Sequence, residues 1–328
     1  MTWVRFVGTD QQWDQTINGL ANPSPYQTSA WSNFRNKDGW TSVRLLANND
    51  AAAIQILVRR VFGVVIAWAP GGPLGEITVD SLSGLRRQLQ LHLSANISYI
   101  RLADITAGDD GRVEQYLRAG WRRPRTTLSS GRTLTRSLTA DTESLRASYT
   151  KNWSRNLRRG EERGVTASVW TAPDISTLVQ LHQSVAETKG IPAKDWRTNA
   201  SRFEHLLACF QDQIVIVRAT DSSGVTHAIR GAVLCGTQAF DFLAATSHNG
   251  RKLYASNVAL HCLLKVLAQL DLATYDFGGV DPVKNRGVYD FKHGAGGHDH
   301  AYSGEFEAAD PRVLSGALST LISLRLAN

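Results

Sequence analysis

The chain has 328 residues, 42% of them hydrophobic, and a net charge of +7. The length predicts about two domains on a prior of roughly 150 residues each, with ordinary globular cores, and the longest apolar run, Val61 to Ala67, is too short to span a bilayer. The basic balance is that of a soluble basic protein or of one with acidic partners: nucleic acid, a nucleotide-linked substrate, or an anionic membrane surface touched only peripherally.

The elements alternate along the first half. Gln27 to Arg35 reads as a short helix capped by Thr28 or Ser29. Trp40 to Leu46, Ala53 to Val58 and Val61 to Trp68 read as strands, and the Pro70-Gly71-Gly72-Pro73 cluster forces a turn. Val79 to Asn96 has helical spacing through Leu82, Leu85, Leu89 and Leu93. A strand at Ile97 to Leu102, a helix at Val113 to Gly120 and a strand at Thr133 to Leu138 follow.

The second half repeats the plan. Thr142 to Arg163 reads as a basic helix region closed by Gly164, followed by a strand at Val165 to Trp170. Helices at Ile175 to Lys189 and Ser201 to Cys209 come next. Gln213 to Ala219, His227 to Cys235 and Ala239 to Ala244 form a strand meander. A helix at Val258 to Gln269, a strand at Tyr275 to Phe277, another at Ser303 to Phe306 and a helix at Arg312 to Leu326 complete the chain. The order predicts an α+β fold with two copies of one unit, each a mixed sheet flanked by helices.

Cys209, Cys235 and Cys262 are widely spaced and lack any C-x-x-C pattern. They exclude a disulfide framework or zinc site and fit a reducing cytoplasm. Cys209 and Cys235 lie in apolar runs and read as buried thiols. Met1 to Asp14 lacks the apolar stretch of a secretory signal. His293, His298 and His300 crowd one segment with Asp299, but glycine spacing gives no rigid presentation. The segment reads as a polar loop rather than a metal site. No phosphate-binding G-x-x-x-x-G-K-[ST] loop is present, so ATP chemistry is not expected.

The most specific stretch is Tyr275-Asp276-Phe277-Gly278-Gly279 followed by Gly287-Val288-Tyr289-Asp290-Phe291-Lys292. Glycines at a strand end admit close backbone approach to a ligand. A lysine just beyond can steady the negative charge that develops in acyl transfer. In order with it stand Tyr26-Gln27-Thr28, Trp31 and Gly39-Trp40, then Ala67-Trp68-Ala69-Pro70-Gly71-Gly72-Pro73, then the run Lys151 to Val165, KNWSRNLRRGEERGV. Together these motifs resemble the Fem family (FemABX), which moves an amino acid from an aminoacyl-tRNA to an amino group of a peptidoglycan precursor.

The resemblance covers most of the chain. It implies two tandem GNAT-like acyltransferase domains: residues 1–140, completed by a returning helix over 311–328, and residues 141–310. It also implies a cytoplasmic enzyme that forms a peptide bond and needs no cofactor. The partners would be an aminoacyl-tRNA and a small peptide or nucleotide-linked peptide acceptor. That acceptor is a peptidoglycan precursor or, given the altered binding positions and the missing helical arm, a peptide antibiotic or other secondary metabolite. Lys292 would stabilise the oxyanion, with Phe291 shaping the pocket or packing the core. Arg35, Trp40, Lys194, Tyr254 and Asp104 are candidate substrate contacts, and Lys37 competes with Arg35. Asp276 could bind the incoming amine or cap a turn.

Lys151, Arg155, Arg158 and Arg159 lie at helical spacing on one face that could hold phosphates of tRNA. Asn152, Trp153 and Asn156 interleave amide and aromatic groups suited to a ligand. The alternative enzyme is an acyl-CoA-dependent GNAT N-acyltransferase. Its pyrophosphate loop would fall at Arg251 to Ser256, where Tyr254 and Ser256 replace the glycines and obstruct close approach.

Overall fold

A computed structural model describes residues 2–47, 50–93, 96–138, 141–189, 196–311 and 316–320. The chain divides into two compact units, residues 1–133 with 300–328 and residues 134–299.

The first unit begins with β1 (Trp3–Arg5), α1 (Asp10–Asn18), a 3-10 turn at Pro25–Gln27 and α2 (Ser29–Asn36). Strands β2 (Thr41–Ala47), β3 (Ala52–Val61), β4 (Val64–Pro70) and β5 (Leu74–Gly75) follow, then α3 (Val79–Leu93), β6 (Ile97–Ala107) and α4 (Asp110–Arg118). The sheet order is β1-β2-β3-β4-β6, and β6 pairs antiparallel with the chain's last strand, His298–Asp310. The β4–β6 pair is parallel and the remaining pairs given are antiparallel, so the sheet is mixed. Its core holds Trp3, Ile54, Leu82, Leu89, Tyr116 and Trp121. The leucines of α3 are the buried ones expected from the sequence, because positions three and four apart share one helix face. Helix α1 carries a full capping box from Thr9 and Gln12. Its apolar signal is weak, because only Trp13 and Ile17 on it are buried.

The second unit runs β7 (Arg132–Ser137), α5 (Thr142–Ala147), α6 (Lys151–Glu162), β8 (Thr166–Val169), α7 (Ile175–Lys189) and α8 (Ala200–Phe210). Strands β9 (Ile214–Thr220), β10 (Thr226–Cys235) and β11 (Gln238–Thr246) come next. Then follow α9 (His248–Lys252), α10 (Ala255–Ala268), β12 (Thr274–Gly279) and α11 (Arg286–Gly294). The last strand, β13 (His298–Asp310), belongs from residue 300 on to the first unit, not to the second as expected. The sheet order is β7-β12-β11-β10-β9-β8. It is again mixed: β11 and β12 run parallel, the others given antiparallel. Helix α10 supplies Val258, Leu260, Leu263, Leu264 and Leu267 to the core. Helix α6 crosses close to it at Gly160, where a Cβ would lie 2.7 Å from Val258 Cγ2.

Several expectations change. The basic helix region divides into α5 and α6, since Thr150 caps a new helix by accepting from the Trp153 N–H. Trp153 is buried against Tyr149, centroids 4.1 Å apart, and belongs to the core rather than a ligand surface. Cys209 is only partly buried, on the side of α8 that carries His205. The histidine segment is no loop: His293 lies in the last turn of α11, and His298 and His300 lie on β13. Among the described residues no group of three potential ligands could hold a metal ion, and no helix is long and apolar enough to cross a membrane. Of the expected C-terminal helix, residues 316–320 are described; they are helical, and Leu318 packs on Tyr99 and Ala309.

Candidate functional site

The parallel ladder between β11 and β12 is three residues long, Gln238–Phe240 against Thr274–Asp276. Strand β11 continues to Thr246 on β10 alone, whereas β12 ends in the glycine pair. Gly278 has φ +73°, a left-handed conformation that suits glycine. Asp276 caps this turn by accepting from the Gly278 N–H at 2.7 Å. A turn cap is one of its two expected roles.

Beside this break lies a cavity of about 500 Å³. Asp241, Ala244 and Ala245 of β11 form one wall, and Tyr254, Ser256 and Asn257 at the start of α10 another. Helix α11 closes it with Gly287, Val288, Phe291 and Lys292, whose spacing places them on one helix face. In the sequence the aromatic run suggests the neighbourhood of a strand end, but its three- and four-residue spacings are helical. An Arg286–Asp290 ion pair at 2.8 Å supports the exposed side of the helix.

Lys292 stands in the last turn of α11, where a cation complements the helix dipole. It is 8% exposed. Its ammonium donates to the carbonyls of Gly278 and Gly279 at 3.2 and 3.1 Å, so the glycine turn is its seat. Phe291 does both things expected of it: it lines the cavity and packs against the core, with its ring 6.0 Å from Trp153.

Sequence reasoning misses two charged residues of this site. Arg230, in the apolar run of β10, stacks its guanidinium 4.9 Å over Phe291. It donates to Ser256 at 3.1 Å and to Asp241 at 3.3 Å. Asp241 also accepts from Tyr275 Oη at 2.9 Å. Burial, and next the Asp241 charge, push the Tyr275 hydroxyl well above its ordinary pKa. A lone charge inside an otherwise apolar strand is the available signal, since a buried charge needs a partner.

Tyr254 takes a left-handed conformation between α9 and α10, at φ 55°. Its hydroxyl accepts from Arg159 at 3.3 Å, and the Arg163 guanidinium lies 5.1 Å from its ring. Arg159 thus reaches a residue of the cavity wall. Lys151, Arg155 and Arg158 are exposed on α6, with Arg155 bonded to Asn152 at 2.5 Å and Arg158 paired with Glu162 at 3.5 Å.

The remaining candidates belong to the first unit. Arg35 lies 5.5 and 5.9 Å from the rings of Trp31 and Trp68 and pairs with Asp38 at 3.3 Å. Trp40 is buried 6.2 Å from Trp68, so these two candidates meet around one indole. Lys37 is exposed at the C-terminal cap of α2. Asp104 is not presented to a ligand. It is 1% exposed and bonded to Arg112 at 2.8 Å, Tyr116 at 2.7 Å and the Thr106 N–H at 2.9 Å, because its position on β6 faces inward. Lys194 lies outside the described residues.

Residues 147–293 match the family described as "Acetyltransferase (GNAT) domain". By sequence, no curated protein matches the chain. Among solved structures, FemX is 15% identical over 97% of this chain and 99% of its own, with a TM-score of 0.79. The C-terminal domain of a putative lysylphosphatidylglycerol synthetase from Agrobacterium fabrum is 13% identical over 96% of both chains, with a TM-score of 0.59. A tandem GNAT protein from the clavulanic acid biosynthesis pathway is 11% identical over 94% of this chain and 98% of its own, with a TM-score of 0.56. The chain therefore has the α+β fold of tandem GNAT proteins, shared over nearly its full length with FemX.

Proposed function

We propose that the protein is an aminoacyltransferase of the Fem type, joining an amino acid from aminoacyl-tRNA to an amino group of a peptide acceptor. The observation that carries this reading is the buried Lys292 ammonium, seated on the Gly278 and Gly279 carbonyls at the wall of the cavity. The amine attacks the ester carbonyl, whose oxygen becomes anionic. Lys292 stabilises that oxyanion in a site shielded from water, where such a charge counts for more than in solvent. The carbon–nitrogen bond forms, the ester bond breaks, and the ribose oxygen leaves with a proton that the amine gives up. The donor ester is already activated, so the chemistry asks for no nucleotide hydrolysis.

The basic face of α6, linked to the cavity wall through Arg159 and Tyr254, suits the phosphates of the tRNA acceptor end. The aromatic–arginine cluster of Arg35, Trp40 and Trp68 in the first unit suits part of the acceptor. That acceptor is a peptidoglycan precursor or a peptide antibiotic or related metabolite, and the enzyme works in the cytoplasm. Against CoA as donor stands Tyr254. Its side chain, held by two arginines, occupies the place where a pyrophosphate loop needs glycine.

The test incubates the protein with each charged tRNA and with muropeptide and peptide acceptors, and reads the products by mass. Product from acetyl-CoA with none from any charged tRNA would replace this reading with an acyl-CoA-dependent N-acyltransferase.

A further inference from the structure

Among the described residues lining the cavity, three cations, Arg230, Arg251 and Lys292, accompany a single carboxylate, Asp241. The Asp241 side chain is only 8% exposed. Its oxygens receive one hydrogen bond each, from Tyr275 at 2.9 Å and from Arg230 at 3.3 Å. A carboxylate offers about four lone-pair positions, so both oxygens keep acceptor capacity. The residue also borders the space that Lys292 addresses. Its backbone carbonyl and the Lys292 ammonium lie 3.5 and 3.9 Å from one point, where a Cβ on Gly278 would stand.

An aminoacyl ester differs from other acyl esters by the ammonium on its α-carbon. In a cavity whose other charges are positive, that ammonium is repelled except at the carboxylate. We propose that Asp241 receives the α-ammonium of the donor and so selects aminoacyl esters over α-hydroxyacyl esters. This rests on the aminoacyl-transfer reading above. Arg230 and Tyr275 are positioning residues, which hold the carboxylate toward the cavity. The pairing is a charge-assisted hydrogen bond, and its loss leaves a group that cannot compensate the ammonium.

The experiment uses the full chain and one tRNA charged either with an amino acid or with the matching α-hydroxy acid. The wild type is expected to favour the aminoacyl donor in kcat/KM by about tenfold or more. Asp241→Asn keeps the shape and the Tyr275 contact. It should narrow that preference to within about threefold by losing the aminoacyl donor alone. Arg230 loses its charge partner, so the melting temperature falls, and the ratio is read below that transition, where the variant is folded. A merely structural role for Asp241 would lower both donors together and leave the ratio intact, which would overturn the proposal. Equal use of both donors by the wild type would overturn it too, even if the variant does not fold. Transfer from no charged tRNA at all would remove the aminoacyl-transfer reading itself, and this assignment with it.

Discussion

Replacing Lys292 with methionine deletes one ammonium and keeps a chain of similar length. Two consequences separate. For stability, the Gly278 and Gly279 carbonyls lose a donor that sits 3.2 and 3.1 Å away. An unpaired buried acceptor costs about 1–3 kcal/mol. The folded protein, in turn, no longer buries an ammonium, which is itself costly. The net change is expected to stay within about 2 kcal/mol of zero. For chemistry, loss of one oxyanion donor removes about 3–4 kcal/mol of transition-state stabilisation, a fall of roughly a hundredfold to a thousandfold in kcat. Single-turnover transfer from charged tRNA measures this step, with tRNA binding and thermal melting followed alongside. Rate should collapse while binding and melting hold. Lys292→Arg restores the charge but brings a planar fork that a seat made for a compact ammonium fits poorly, so it should recover only part of the rate. A folded Lys292→Met protein with kcat within about threefold of wild type would refute the assignment of Lys292 to the oxyanion.

Three further outcomes are expected. His261 is buried with Nδ1 2.9 Å from Tyr149 Oη, and burial, then the Arg146 charge, lower its pKa to about 4. The unfolded ring, near pH 6.5, binds a proton that the folded ring refuses. Stability is therefore complete above about pH 6.5 and falls by up to about 3 kcal/mol as the pH drops toward 4. Melting curves across that window should show this slope in the wild type, and an equal slope in His261→Gln would contradict it. Asp104→Asn leaves Arg112 without its charge partner in a buried site. It should lower the urea midpoint by an amount equivalent to about 3 kcal/mol, and a midpoint within error of wild type would show that the ion pair contributes nothing. Converting Lys151 and Arg155 to alanine should weaken tRNA binding and flatten its salt dependence, by roughly 0.7–0.9 in log–log slope for each phosphate no longer neutralised. An unchanged slope would take the α6 face out of the tRNA site.

The elements legible before folding are those with a local cause. The leucine spacing of α3 and the apolar strands of the β9–β11 meander follow from side-chain period alone. The break before α6 is also local, in the capping side chain of Thr150, but helix-compatible residues on both sides conceal it. Lys292 can be singled out because a glycine pair and a lone lysine are informative together. Its seat is not visible in the sequence, since Gly278 lies 14 residues away and the turn that aims its carbonyl depends on Asp276.

Period, capping and glycine placement act within a few residues, so one chain of letters is enough to name two mixed-sheet units and the turn beside β12. Which charges meet is a different matter. Arg230 and Asp241 sit on adjacent strands, 11 residues apart, and touch only because of the β10–β11 register, which shifts between Gly231 and Ala232. The opening that exposes them exists only because the β11–β12 ladder stops at Phe240 and Asp276. Strand register and the end of a ladder are set by the packing of whole helices and strands, and that is why the cavity and its carboxylate emerge only in three dimensions.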